Sequence, residues 1–284
     1  MIDTDFLKHL DRLSLIINKR VTSNYVGERQ SVHTGYGMVF KDHGIYSPGE
    51  DFRRIDWKVF ARTDKLHIRR YEEEKSLVVH VLIDSSASMD FGSGAHKKFD
   101  YAAMIGIGFA YMAMKKNEKF VLSTFSDTFE LFAPKRGKRQ LVATLDYLRN
   151  KKAEGVSKFE EALSGYSKCV KHKSMIVIIS DFLYDIEDVR RVLYRFKNHE
   201  IKLVQVLDPM EVKLNLRGEF KLKDMETKGF LRTFIGPFLK KHYMEKLADH
   251  VNRLRWIANS LGASLNSINI EMPIYDTFYE ILRS

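Results

Sequence analysis

Five oxygen-bearing side chains stand out by their type and their place. Residues 77–89 read LVVHVLIDSSASM. The stretch from Leu77 to Ile83 is nearly all Leu, Val and Ile, which suits a strand buried on both faces of a parallel sheet. It stops at Asp84, and Ser86 and Ser88 follow at alternate positions. A strand that ends in Asp-x-Ser-x-Ser puts one carboxylate and two hydroxyls on a tight loop at the carboxyl edge of the sheet. Open α/β sheets bind their ligands at that edge. All three side chains offer hard oxygen, the chemistry that a small hard cation such as magnesium or manganese prefers. The plainer alternative is a capped turn, because Asp and Ser are favoured N-caps and a helix begins near Phe99.

Further oxygen donors follow at later strand ends. Residues 174–179 (SMIVII) form a second buried-strand run, which ends in Ser180 and Asp181. Before it, Gly155 and Val156 make a turn into Ser157, and the helical FEEAL comes next. Taken singly, Ser157 reads as an N-cap and Asp181 as a strand-end turn. Three polar strand ends in this order are harder to dismiss.

The set Asp84-x-Ser86-x-Ser88, then Ser157, then Asp181 resembles the metal-ion-dependent adhesion site of von Willebrand factor type A domains. That family usually has Thr where this chain has Ser157, so the hydroxyl is kept. The wider superfamily often has Gly after the last Asp, where this chain has Phe182. The resemblance implies that Ser86, Ser88 and Ser157 ligate Mg2+ or Mn2+ directly, while Asp84 and Asp181 hold coordinated water or the ion itself. It also implies an open coordination position, taken by an Asp or Glu of a partner protein. An ion held with so little charge can be absent from a purified sample.

These side chains need a sheet to position them. Strand and helix alternate from Leu77 onward, with helices at residues 99–115, 141–148, 159–171, 186–198, 238–261 and 275–282. That order predicts a doubly wound, mostly parallel α/β sheet. Residues 120–125 and 129–132, joined by Ser126-Asp127-Thr128, read as a hairpin that gives the sheet one antiparallel edge. Small residues in the first of these helices, Ala102, Ala103, Gly106, Gly108 and Ala110, let it approach the sheet closely. Residues 92–97 (GSGAHK) lack P-loop spacing and read as a flexible lip beside the metal site. Residues 219–222 and 230–234 form a small hairpin, part of an insertion near 209–236. We place the von Willebrand A-like domain at 76–284.

Residues 1–75 read as an N-terminal extension. Apolar positions from Phe6 to Ile17 recur at the helical period over Thr4 to Lys19. Residues 22–49 are polar and Gly-bearing. In residues 51–71 five arginines alternate with Asp51, Asp56 and Asp64, which suggests Arg–Asp pairing on an irregular segment, with Trp57 packed and a strand around Leu66 and Ile68. The run YSPGEDFRRIDWKVFARTDKLHIRRYEEEK, followed by the metal-loop strand, resembles the domain-of-unknown-function family fifty-eight. In that family a Tyr-x-Pro-Gly-acid-acid-x-Arg-x-Ile-Asp-Trp segment precedes a von Willebrand A-like domain; here it is Tyr46, Pro48, Gly49, Glu50, Asp51, Arg53, Ile55, Asp56 and Trp57. The resemblance implies a MoxR-type AAA ATPase as partner, in chaperone-like assembly or metal insertion.

Composition narrows the class. The hydrophobic content of 44% supports a packed core. One cysteine, Cys169, allows no internal disulfide, which fits a reducing compartment. No apolar run approaches the length of a membrane span, and the acidic start MIDTDFLKHLDRL is no signal peptide, so the expected place is the cytoplasm. The net charge of +10 is scattered, and neither a base-stacking motif nor a recognition helix accompanies it, so no specific nucleic acid is expected. A magnesium-dependent phosphatase of the haloacid-dehalogenase type would need an acid two residues after Asp84, where Ser86 stands. No His-Glu-x-x-His or Gly-x-Ser-x-Gly occurs. The expectation is a binding module rather than an enzyme.

Overall fold

The structure is a computed structural model that describes residues 39–72, 77–226 and 229–283. The helix expected over Thr4–Lys19 lies outside the described residues. The chain divides into two compact units, with the boundary between Ser76 and Leu77.

The smaller unit is more regular than its composition suggests. Strands β1 (Val39–Ile45) and β2 (His67–Glu72) pair antiparallel, with Ile45 opposite His67. Between them a 3-10 turn, Phe52–Arg54, leads into α1 (Trp57–Thr63). Two of the acids are caps. Asp51 accepts from Arg53 N at 3.0 Å, and Asp56 accepts from Lys58 N at 3.0 Å while its other oxygen meets His43 Nε2 at 3.1 Å. Ile55 and Ile68 are buried and face each other across an antiparallel bridge. Trp57, expected to pack, is instead 60% exposed.

In the larger unit a five-stranded sheet has the order β4-β3-β5-β6-β9. Its strands are β3 (Val78–Asp84), β4 (Lys119–Phe125), β5 (Ser174–Ser180), β6 (Glu200–Leu207) and β9 (Ser264–Asn269). All four pairings in it are parallel. The expected antiparallel edge shrinks to two isolated bridges beside β4, Phe125 with Phe129 and Phe120 with Lys135. Pro134 has no N–H to donate to a ladder, and the Phe129 ring turns inward onto Tyr166 at 5.6 Å between centroids.

The helices are α2 (Lys98–Lys115), α3 (Lys138–Asn150), α4 (Phe159–Ser167), α5 (Ile186–Arg195), α6 (Pro209–Lys213), α7 (Pro237–Ser260) and α8 (Ile274–Arg283). Alternation along each strand divides them between two layers. Val79, Val81 and Ile83 of β3 pack with α2, α3 and α8, whereas Leu82 packs with α4, α5 and α7. Each fully buried Val, Leu or Ile side chain contributes about 1.5–3 kcal/mol, which is why these runs of apolar residues hold the central strands. Close approach of α2 needs glycine. A Cβ on Gly106 would come within 2.7 Å of Ile83 Cδ1, and one on Gly108 within 1.9 Å of Phe278 Cζ on α8.

Strand order fixes where a ligand belongs. From β3 the chain leaves through α2 on one face to β4, and from β5 it leaves through α5 on the other face to β6. The carboxyl ends of β3 and β5 therefore flank a topological switch point, the place where open α/β sheets form a crevice. A separate two-stranded hairpin, β7 (Gly218–Lys223) and β8 (Phe230–Ile235), rises between α6 and α7.

Candidate metal centre

Asp84 ends β3 and Asp181 follows the end of β5, so both acids reach the switch point from adjacent strands. Asp84 is 0% exposed. Its Oδ1 accepts from Ser86 N at 2.8 Å, which closes the Asp-x-Ser turn. Its Oδ2 accepts from Ser180 Oγ at 2.8 Å and from the Tyr184 hydroxyl. The loop continues as a 3-10 turn, Ala87–Asp90, in which Ser86 Oγ and Ser88 Oγ stand 3.1 Å apart. Ser88 Oγ donates to Asp181 Oδ2 at 2.9 Å, across 93 residues of sequence.

Ser157 arrives on a loop tied to the first one. Ala87 N donates to Gly155 O at 2.9 Å, and Glu154 N donates to Ser85 O at 2.9 Å. The turn requires glycine at 155, whose φ is 87°. The N-cap of α4 is Lys158, so Ser157 is not a helix cap; its hydroxyl meets Tyr184 OH at 2.9 Å. One hydrogen-bonded network thus joins all five residues singled out in the sequence. Phe182 takes a left-handed φ of 51° and buries its ring against Phe159 at 6.0 Å.

Four members of the network were not anticipated. Tyr184 lies between Asp84 and Ser157 and stacks on Phe159 at 4.5 Å. Burial, then Asp84 and Asp181, push its phenol well above the ordinary tyrosine range. Lys98, at the start of α2, is 1% exposed, and its Nζ donates to Asp181 Oδ2 at 2.9 Å and to Glu211 Oε1 at 2.7 Å. Burial pulls its pKa down, but the two acids outweigh that and hold it above the usual lysine value. Glu226, in the β7–β8 turn, accepts from Ser157 N at 3.3 Å. No local spacing marks these residues, because each meets the site only through the tertiary fold. The Gly92–Lys97 lip is pinned rather than free: Ser93 N and Oγ donate to Asp208 at 2.7 and 2.6 Å.

The chemistry of the donor set fits a small hard cation. Burial foremost, then the charge of Asp181, raise the Asp84 carboxyl to about 6, although Tyr184 and Ser86 draw it back. The network holds four carboxylates, those of Asp84, Asp181, Glu211 and Glu226, and one ammonium, that of Lys98. Its hydroxyl hydrogens point at acids or at each other. The phenol hydrogen is directed to Asp84, so Ser157 must donate to the phenol oxygen. The Ser88 hydrogen is directed to Asp181, so Ser86 is the donor in the Ser86–Ser88 pair. Each serine oxygen keeps at least one lone pair outside these bonds. Among the described residues no group of three or more His, Cys, Asp or Glu side chains is placed to hold a metal, so an ion here must lean on hydroxyls.

The chain is 27% identical over 267 residues to uncharacterized proteins of Mycobacterium bovis and of Mycobacterium tuberculosis, covering 92% of this chain and 84% of theirs. A solved structure, a conserved hypothetical protein BatB from Bacteroides thetaiotaomicron, superposes with a TM-score of 0.40 at 11% identity, over 73% of this chain and 100% of that one. The family described as "Protein of unknown function DUF58" matches residues 43–253, which takes in both units. The chain belongs to that family.

Proposed function

We propose that the switch-point cluster is a metal-ion-dependent adhesion site of the von Willebrand A kind, through which this protein binds an acidic side chain of a partner. Ser86, Ser88 and Ser157 would hold Mg2+ or Mn2+ directly, and Asp84 and Asp181 would orient those hydroxyls or bound water. When bound, the ion would supply an electrophilic position for a carboxylate. One observation carries this reading: three serine oxygens from two separate loops meet in one network, their hydrogens engaged by Ser88, Asp181 and the Tyr184 phenol, around an excess of carboxylate.

The reading is a binding module rather than an enzyme. Position 86 carries a hydroxyl where a phosphatase of the haloacid-dehalogenase type would need an acid. A MoxR-type AAA ATPase is the partner class we propose; the family resemblance supports it. A cytoplasmic place is supported by the free and exposed thiol of Cys169.

The test is calorimetric titration of Mg2+ into the parent and into Ser86→Ala/Ser88→Ala. The double variant should lose at least tenfold in affinity with an unchanged unfolding midpoint. Equal affinities would remove these hydroxyls from the site. Capture of a partner from lysate should fail in the presence of a chelator.

A further inference from the structure

The hairpin β7–β8 brings an acid of this chain to the site. At its tip Asp224 N donates to Gly229 O at 2.8 Å. Within it Glu226 N donates to Asp224 Oδ1 at 2.8 Å, an Asx turn that fixes the direction of the next side chain. The Glu226 carboxylate then accepts from Ser157 N at 3.3 Å. Burial raises the pKa of this carboxyl, the Ser157 amide draws it back, and the charges of Asp181 and Asp224 raise it further. So Glu226 is hydrogen-bonded to the backbone of the second serine-bearing loop, at the residue proposed as its ligand, and lies within electrostatic reach of Asp181. It comes from neither loop and caps no helix.

We propose that Glu226 is the intrachain ligand of the adhesion site: its carboxylate stands where a partner's Asp or Glu would stand, and it must leave before a partner binds. This rests on the metal-site reading above and adds the regulation of that site. The hairpin is built to be displaced. β7 and β8 pair only with each other in their sheet, most of their residues are exposed, and only Ile235 at the root is buried. Phe230, Leu231 and Phe234 lie more than half exposed, so little apolar burial holds the arm down. Gly218, at a φ of 116°, begins the arm in a conformation that only glycine adopts readily.

The probe is Mn2+, followed by paramagnetic resonance and water-proton relaxation, with hydrogen exchange of the hairpin as a separate readout. The variants are Glu226→Gln and, as a control for the metal site, Ser86→Ala/Ser88→Ala. In the parent, Mn2+ should slow amide exchange in residues 224–229. In Glu226→Gln, Mn2+ should still bind, about three- to tenfold more weakly, since affinity follows the charge of the ligands. Its relaxivity should rise by about one coordinated water, and hairpin protection should vanish. If Mn2+ binds the parent and is lost from the serine variant, yet Glu226→Gln matches the parent in relaxivity and exchange, Glu226 is no ligand and this proposal alone falls. If Mn2+ does not bind the parent, the metal-site reading fails and takes this proposal with it.

Discussion

Two strands of the same sheet, β3 and β6, lead into aspartate, and the two acids do different work. Asp208 follows β6, and backbone groups and one serine fully engage it: Ser93 N at 2.7 Å, Ser93 Oγ at 2.6 Å and Met210 N at 2.7 Å. It forms a capping box with Glu211 at the start of α6. Asp84 ends β3 and takes one backbone amide, but its other partners are hydroxyls, and a second acid, Asp181, stands close enough to raise its pKa. Both are buried strand-end carboxylates. An acid whose oxygens meet backbone N–H groups completes a turn. An acid ringed by hydroxyls and facing another acid creates a demand for a cation. The type of donor, more than burial or position, separates the structural aspartate from the candidate ligand.

The comparison can be pressed from the middle of β3. The His80 ring is buried with Nδ1 2.8 Å from Tyr166 OH, and burial, then His199, lower its pKa to about 4. Above pH 6.5 the ring is neutral in both folded and unfolded chains. Between 6.5 and about 4 the unfolded chain binds a proton that the folded one refuses, so stability falls as pH falls, by at most about 3 kcal/mol. Asp84, raised to about 6, pulls the other way in the overlapping window, because the folded state holds its proton more tightly. Denaturant titrations in chelator should therefore show a steeper acid loss in Asp84→Asn than in the parent. Identical slopes would mean that Asp84 is an ordinary carboxyl, like any capped turn.

A smaller effect separates the two strand ends directly. Asp208→Ala should lower stability by about 2 kcal/mol, through loss of the cap and of the Ser93 clamp, and leave Mg2+ affinity unchanged. Asp84→Asn should do the reverse. Loss of Mg2+ binding in Asp208→Ala would erase the distinction drawn here.

Much of the positioning frame was legible in the sequence. The runs at 77–83 and 174–179 are apolar on both faces and became β3 and β5, and the small residues of α2 foretold its close approach. Asp84, Ser86, Ser88, Ser157 and Asp181 were visible as strand-end or loop oxygens, and the fold brings them together. The rest depended on partners remote in sequence. β1 looked like loop because VFKDHGI carries charge and glycine, and it becomes a strand only against β2. Lys98 reads as a surface lysine beside Lys97 until Asp181 and Glu211 fold onto it. Tyr184 and Glu226 carry no local signal, since their roles depend on Asp84 and Ser157, 100 and 69 residues away.

The most direct measurement is an anomalous difference map from crystals of this protein soaked in MnCl2. The account predicts one strong peak at the switch point, about 2.1 Å from Ser86 Oγ and Ser88 Oγ, with Ser157 Oγ in the same shell. Density at Asp208, or an empty switch point beside intact loops, would contradict it.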